Sequence, residues 1–146
     1  MTAPERIAEP SPTLTAAVRR FLQAPRFAAV ATLNPDGSPL QAIVWYRLDG
    51  DDIVFNSRVG RRWPGNLGRD PRVSIIVADA YDYVELRGEV EIDDDPETGL
   101  AVISDLARRY HPDKEVADAQ IARFAKERRV TFRLRPRRVF ARLAEG

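Results

Sequence analysis

Arginine side chains are concentrated in a turn that follows a short apolar stretch in the first half of the chain. Residues 53–55 are apolar, residues 56–57 are Asn and Ser, and three arginines follow around Gly60 in residues 58–62. Arginine presents a planar fork of N–H donors that matches the oxygens of a phosphate. A helix that begins just after the glycine adds free backbone N–H groups and a favourable dipole. The segment is therefore predicted to bind the phosphate of a small molecule, the plain alternative being a solvated loop between two strands.

The composition is that of a soluble globular protein of one domain. The chain has 146 residues, of which 44% are hydrophobic and 31% charged, ordinary values for such a protein. No apolar run approaches the length of a membrane span, and residues 1–12 lack the apolar core of a signal peptide. A cytoplasmic location without a membrane partner is therefore expected.

Cysteine and histidine counts restrict the chemistry. The chain has no cysteine and one histidine, which excludes disulfides and thiolate metal sites and most zinc or haem sites that rely on protein imidazoles. No metal site is expected. His111 precedes Pro112 at a predicted helix end and is expected to be a solvated loop residue rather than a catalytic one.

The charge of the chain is balanced overall but uneven along it. The formal net charge is +1, so a general affinity for nucleic acid is not indicated. Arginines crowd the C-terminal end, where they alternate with apolar residues and are expected on the outer face of strands. They are Arg128, Arg129, Arg133, Arg135, Arg137, Arg138 and Arg142.

Periodicity predicts about seven strands and a few helices after an extended arm over residues 1–12. Strands are predicted over residues 27–33, 40–48, 53–57, 73–78, 83–92, 130–134 and 139–143, the first three forming an antiparallel meander. Helices are predicted from Thr13 to Pro25 and over residues 61–69, 95–110 and 113–125. Regularly spaced strands with turn signals favour a barrel or a sandwich, and a barrel removes exposed edges. Residues 13–146 are expected to form one domain.

Several of these segments, taken in order, resemble a known family. They are residues 29–37, residues 50–57, Gly60-Arg61-Arg62 followed by Asn66-Leu67, residues 70–74 (Asp-Pro-Arg-Val-Ser) and residues 83–91 with Gly88 in mid-strand. In this order they resemble the flavin- and deazaflavin-binding split β-barrel proteins related to pyridoxamine 5′-phosphate oxidase. Within that family the chain is most similar to the small branch that uses the deazaflavin F420. The resemblance covers roughly residues 21–143.

The resemblance implies a fold, a cofactor and a reaction. The implied fold is mainly β, a split β-barrel of the Greek-key, FMN-binding type with about six to seven strands and flanking helices. The implied protein is a homodimer with cofactor sites at the subunit interface that transfers a hydride from reduced F420 to a small organic acceptor. FMN is the alternative cofactor, since both molecules present a tricyclic ring and a phosphate.

The resemblance also implies cofactor-binding positions. The strand that contains Gln41, Ile43, Val44 and Trp45 is expected to lie along the ring. The ribityl chain and phosphate are expected near Asn56, Ser57, Arg61, Arg62 and Asn66. Many relatives carry a lysine where this chain has Trp63, so Trp63 either packs against the cofactor or closes the barrel rim.

No catalytic residue is expected, because hydride transfer needs no nucleophile and no Ser–His–acid set is recognisable. Three functions remain open at this point. The first is an F420-dependent, or FMN-dependent, reductase. The second is a module of the same fold that holds FMN, F420 or haem without turnover. The third is a nucleic-acid-binding or regulatory protein that uses the C-terminal arginines, which would show steeply salt-dependent DNA binding.

Overall fold

Eight strands and four helices make up the protein, which is described by a computed structural model over residues 13–144. The strands are β1 (Ala28–Leu33), β2 (Pro39–Val44), β3 (Tyr46–Asp49), β4 (Asp52–Arg58), β5 (Arg72–Asp79), β6 (Asp82–Asp93), β7 (Arg129–Leu134) and β8 (Arg138–Arg142). The helices are α1 (Ala16–Gln23), α2 (Arg62–Arg69), α3 (Pro96–Tyr110) and α4 (Lys114–Phe124). The arm predicted for residues 1–12 lies outside the described residues.

The strands form one antiparallel sheet. Its two terminal strands follow one another directly in the sequence. The strand order is β2-β1-β5-β6-β7-β4-β3, and β8 pairs with β6. The terminal strands β2 and β3 are consecutive in sequence, with only Trp45 between them. The sheet is therefore closed into a barrel by a covalent connection at Trp45, which we call the seam. This is the predicted split barrel with flanking helices.

The predicted strand over residues 40–48 is wrong in one respect, because it is interrupted at the seam. Its first half pairs with β1, where Val44 lies opposite Ala28, and its second half pairs with β4, where Tyr46 lies opposite Phe55. The predicted three-stranded meander is therefore split between the two ends of the sheet. Apolar alternation continues through Trp45 and carries no information about which strand accepts the hydrogen bonds. The strand count rises to eight for this reason.

Apolar side chains from the strands fill the barrel, and helices close its outside. The fully buried interior includes Tyr46, Phe55, Ile75, Leu86, Phe132 and Leu134, joined by Leu22 of α1 and Leu67 of α2. Strand β4 is buried on both faces because Val54, which points away from the barrel, packs with Val102, Ile103 and Leu106 of α3. Helix α3 therefore covers the outer side of β4 and β7.

Helix α3 starts and stops where the sequence predicts. Asp95 is the N-cap and accepts a hydrogen bond from the Thr98 N–H, and Pro96 occupies the first turn, where its missing N–H costs nothing. The helix ends at Tyr110, and His111 is its C-cap. The last turn of α3 is thereby brought against the seam.

Arg109 of α3 fastens the seam to α1. Its Nε donates to the Tyr46 carbonyl at 3.0 Å, and its terminal nitrogens donate to the carbonyls of Leu22, Gln23 and Ala24 at 2.9–3.1 Å. The last carbonyls of a helix lack partners within the helix, so this guanidinium completes the end of α1. One side chain thus joins α1, α3 and the closure of the barrel.

The tyrosines beside Arg109 complete the same junction. The Tyr46 hydroxyl donates to the Leu22 carbonyl at 2.9 Å, and the Tyr110 hydroxyl donates to the Arg26 carbonyl and accepts from the Tyr46 N–H. Burial raises the pKa of Tyr46 to about 12 and also raises the pKa of Tyr110. Both phenols therefore remain protonated donors at neutral pH.

Replacing Arg109 with alanine should weaken the whole junction. Because several carbonyls lose a charged donor, the free energy of unfolding should fall by at least about 1.5–3 kcal/mol. The matched control is Arg108→Ala, which removes an exposed arginine from the same turn of α3. Urea unfolding measures both variants, and equal losses would show that Arg109 has no special role.

Candidate functional site

A cavity of about 670 Å³ lies where the seam, the end of β4, the start of α2 and the helical pair α3–α4 meet β7. Most of the predicted cofactor-binding residues line it, although they come from separate parts of the chain. They are Ile43, Val44, Trp45, Asn56, Ser57, Arg61 and Trp63. The volume lies within the range of small-molecule binding sites, about 300–1,000 Å³.

One wall of the cavity is aromatic and centred on Trp45. The Trp45 indole stacks on Tyr110 with 5.2 Å between ring centroids and 9° between planes. Phe124 and His111 meet the same indole edge-on, at 5.4–6.2 Å and 80–83°. Ile43 continues this wall and is 70% exposed. The wall offers a rigid apolar surface against which a planar ring can pack.

A second wall of the cavity, which adjoins the first at Phe124, carries a surplus of positive charge. It is lined by Arg58, Arg61, Arg123 and Arg129, with Glu127 as its acidic residue. Glu127 is shared, because its carboxylate lies 3.0 Å from the Arg129 guanidinium and 3.7 Å from that of Arg58. Arg61 forms no ion pair with any residue of the part of the chain that the structure describes. This wall therefore favours an anionic ligand.

Arg129 is buried in this wall, contrary to the prediction that the C-terminal arginines face solvent from the outside of strands. It is 8% exposed, and its Nε donates to the Asn56 side-chain oxygen at 2.7 Å. Burial lowers the pKa of Arg129, Glu127 opposes that effect, and Arg61 and Arg58 add to it by repulsion. The first residue of β7 is enclosed because α3 and α4 cover this end of the strand. The alternating pattern gives no signal of that cover.

Asn56 holds Arg129 in place rather than offering its own amide to the cavity. Its side-chain nitrogen donates to the Gly99 carbonyl and to the Thr131 hydroxyl, both at 3.1 Å, while its oxygen accepts from Arg129. All hydrogen-bonding groups of the amide are thus engaged within the protein. Asn56 therefore lines the cavity as a residue that positions Arg129, and its predicted contact with a cofactor stays a prediction.

Gln41, Arg62 and Asn66 do not line the cavity. Gln41 is exposed on β2 opposite Ala31, and Arg62 is exposed at the first position of α2. Asn66 is buried, and its side-chain nitrogen donates to Thr32 and Asn34 at 3.0–3.1 Å, which ties α2 to β1. The structure thus gives Asn66 a packing role, and the phosphate contact that the resemblance implied stays a prediction.

Trp63 is buried among the aromatic side chains of the barrel. It is 6% exposed and packs against Phe55 and Phe132, with ring centroids 5.8 and 5.5 Å apart. It therefore closes the rim of the barrel. One edge of the same indole also lines the cavity.

His111 was predicted to be a solvated loop residue at a helix end. It follows the last residue of α3 and is partly exposed. It also lines the cavity, where its ring meets the edge of Trp45, a position that the sequence did not indicate. The helical pair that carries it also contributes Arg123 and Phe124. Helical periodicity identifies both helices but not the surface that they cover.

The donors and surfaces of the cavity fit a planar ring that carries a phosphate. Guanidinium groups bind phosphate oxygens, an aromatic wall receives a ring, and α2 begins directly after Arg61, whose side chain makes no cap hydrogen bond. Both groups line the same cavity and adjoin at Phe124, whose ring centroid lies 4.7 Å from the Arg129 guanidinium carbon and 5.5 Å from that of Arg123. The segments that the sequence predicted for the phosphate and for the ring are thus brought together.

Comparisons with known proteins agree on one family. The family model described as "Pyridoxamine 5'-phosphate oxidase" matches residues 14–142. A conserved hypothetical protein of Mycobacterium tuberculosis is 26% identical, with 91% of this chain and 87% of that chain covered and a TM-score of 0.75. No curated protein matches the sequence.

Two further solved structures carry functional titles. One, titled an F420 reductase, is 29% identical, with 83% of this chain and 94% of that chain covered and a TM-score of 0.66. The other, a heme binding protein of Mycobacterium smegmatis, is 27% identical, with 86% of this chain and 52% of that chain covered and a TM-score of 0.59.

Gly99 allows α3 to approach the buried Arg129, and replacing it with alanine should disturb the site. An added Cβ would lie 3.0 Å from the Arg129 carbonyl oxygen, closer than carbon normally approaches backbone. We expect Gly99→Ala to lower the free energy of unfolding by about 1–3 kcal/mol, as other overpacking substitutions do. The measurement is urea unfolding.

The matched control is Gly68→Ala on α2. A Cβ there meets nothing within 4 Å, and alanine is favoured over glycine in a helix. This variant should therefore be at least as stable as the parent. A Gly99→Ala protein as stable as Gly68→Ala would show that α3 is free to move.

Proposed function

Because the chain belongs to the pyridoxamine 5′-phosphate oxidase family, we propose that it is a reductase that binds the deazaflavin F420. In this proposal a hydride passes from the reduced carrier to a small organic acceptor. One observation carries the proposal: a single cavity combines a rigid aromatic wall with a wall of arginines. A redox carrier with a planar ring and an anionic tail matches both walls.

The cavity residues have distinct tasks in this proposal. The carrier supplies the hydride, and the protein binds it and excludes water around the ring. Trp45 and the adjoining backbone of β2 receive the ring, while Arg61, with Arg58 behind it, binds the phosphate. Arg129 adds a fixed positive charge that Asn56 and Glu127 hold in place. No nucleophile is required, so no residue is assigned that role.

The charge of the cavity supports F420 over FMN. Four arginines line it against one glutamate, whose charge Arg58 and Arg129 share. F420 carries a longer anionic tail than FMN and gains more from this surplus. The solved structure titled an F420 reductase, at 29% identity, supports the same choice. FMN remains the alternative cofactor.

A carrier module that holds its ligand without turnover is the second candidate function. The same two walls would serve it, and the heme binding protein at 27% identity supports it as a comparison. Turnover separates the two functions. Reduced F420 should reduce menadione or cyclohexenone in the presence of the protein, and reduction of neither would overturn the reductase and leave the carrier module.

We further propose that two copies of the chain form a dimer across the open side of the cavity. Ile43 lines the cavity and is 70% exposed, and Phe27, which stacks on Tyr110 behind Trp45, is 61% exposed. Large apolar side chains beside a ligand cavity are typical of an interaction surface. A second copy placed there would complete the wall around the ring.

None of the helices within residues 13–144 has the length and apolar character needed to cross a membrane.

Arg61 and Arg62 offer a sharp test of the phosphate assignment, since they are adjacent, exposed and of the same type. Only Arg61 lines the cavity. Arg61→Ala should weaken F420 binding by about 1.5–3 kcal/mol, the worth of a hydrogen bond to a charged group. Arg62→Ala should change binding much less.

Both tryptophans of the chain line the cavity, so quenching of intrinsic fluorescence measures binding of F420 and FMN side by side. Equal binding by parent and Arg61→Ala would disprove the phosphate assignment. A larger loss of F420 affinity in Arg62→Ala than in Arg61→Ala would indicate that the phosphate binds at the start of α2. Failure of the parent to bind either molecule would overturn the reductase and would leave only a carrier module for haem.

Ile43→Glu tests the proposed dimer. A charge in the apolar surface between the copies should prevent their association, so the variant should be a monomer by sedimentation and should bind F420 at least tenfold more weakly. Folding should persist, because the side chain is exposed within one copy. Val116→Glu, an exposed apolar position on α4 outside the cavity lining, is the control. A parent protein that sediments as a monomer would contradict the proposal.

A further inference from the structure

His111 is the only histidine of the chain, and it lies in the cavity. It caps the C-terminus of α3, where its backbone N–H donates to the Ala107 carbonyl at 2.8 Å. Its imidazole meets the Trp45 indole edge-on, 5.4 Å between centroids and 80° between planes. The ring is therefore held beside the wall that the proposed function assigns to the carrier ring.

The other ionisable groups in or beside the cavity are less suited to deliver a proton. Arginine keeps its proton in proteins, and the Glu127 carboxylate lies against the guanidinium groups of Arg129 and Arg58. Tyr110 lies behind Trp45, donates its hydroxyl to the Arg26 carbonyl, and has a pKa raised by burial. Imidazole is the one side chain that ordinarily exchanges a proton near neutrality.

Hydride transfer to a carbon–carbon double bond conjugated with a carbonyl needs such a proton. When the hydride adds to the acceptor carbon, the π electrons of the acceptor shift to its carbonyl oxygen and leave an enolate anion. One proton must then be added to balance the reaction. The arginines of the basic wall hold anions but release no proton, so the proton comes from solvent or from another side chain of the cavity.

Resting on the proposed function, we propose that His111 is the proton donor of the reduction. A ring N–H bond of the imidazolium breaks, the proton goes to the enolate, and the neutral imidazole takes a proton back from solvent. The acceptor class follows from this chemistry: an α,β-unsaturated carbonyl compound or a quinone that reaches the exposed edge of the His111 ring from the cavity. The charged groups that share the cavity with His111 are Arg58 of β4, Arg61 before α2, Arg123 of α4, Glu127 after α4 and Arg129 of β7.

The first test requires no acceptor and no turnover. In untagged protein the carbon-bound protons of the single imidazole give the only histidine signals in a proton NMR spectrum. These signals should shift when oxidised F420 is added, because the ring lies in the cavity. His111→Gln should remove them. Signals that do not shift when F420 binds would overturn the proposal.

The second test measures proton delivery. With reduced F420 and whichever of menadione and cyclohexenone the parent reduces faster, His111→Gln should bind F420 within threefold of the parent. Its single-turnover rate should fall about 10²–10⁴-fold, the usual contribution of a general acid. The fall in rate at alkaline pH should disappear, and imidazole added to His111→Ala should restore part of the rate, which a purely structural role would not allow.

Lys114→Gln is the matched control, because it removes a nearby positive charge from a side chain that is 89% exposed and paired with Asp118. It should leave the rate and its pH profile unchanged. If the parent binds no carrier or reduces neither acceptor, the proposed function fails. If the parent is active and His111→Gln retains its rate and pH profile, only the role of His111 fails.

Discussion

The structure depends on how its backbone hydrogen bonds are completed where the sheet closes. A strand that leaves one partner and joins another must expose polar groups at the crossing point, and buried polar groups without partners are costly. At the seam, Arg109 and Tyr110 supply the missing partners from a helix that lies far away in sequence. The same Arg109 guanidinium donates hydrogen bonds to the carbonyls at the C-terminal end of α1. The barrel, α1 and α3 are therefore held in one arrangement.

This closure also creates the cavity. Because the strand is interrupted at Trp45, its indole turns away from the barrel interior and stacks on Tyr110. The helical pair that supplies Tyr110 then continues into His111 and Phe124, which complete the aromatic wall. The residue that ends one strand and precedes the next is thus the centre of the proposed ring site.

The basic wall carries an energetic cost that a ligand would relieve. A guanidinium is expensive to bury unless its N–H groups have acceptors, and Arg129 has Asn56 and Glu127. Even so, Arg61 and Arg58 repel it. An anion placed between these groups would replace repulsion with attraction. Stability and anion binding therefore draw on the same residues.

Periodicity and capping signals in the sequence determined most of the elements: the strands β1, β4, β5, β6, β7 and β8, the cap at Asp95, and the turn after β4 that leads into Arg61. They did so because side-chain alternation and caps are local. The tertiary structure alone decided that the predicted strand changes partner at Trp45, that Arg129 is buried, and that His111 faces the cavity. Each of these depends on contacts between distant segments, and a local pattern does not record which segment covers a residue.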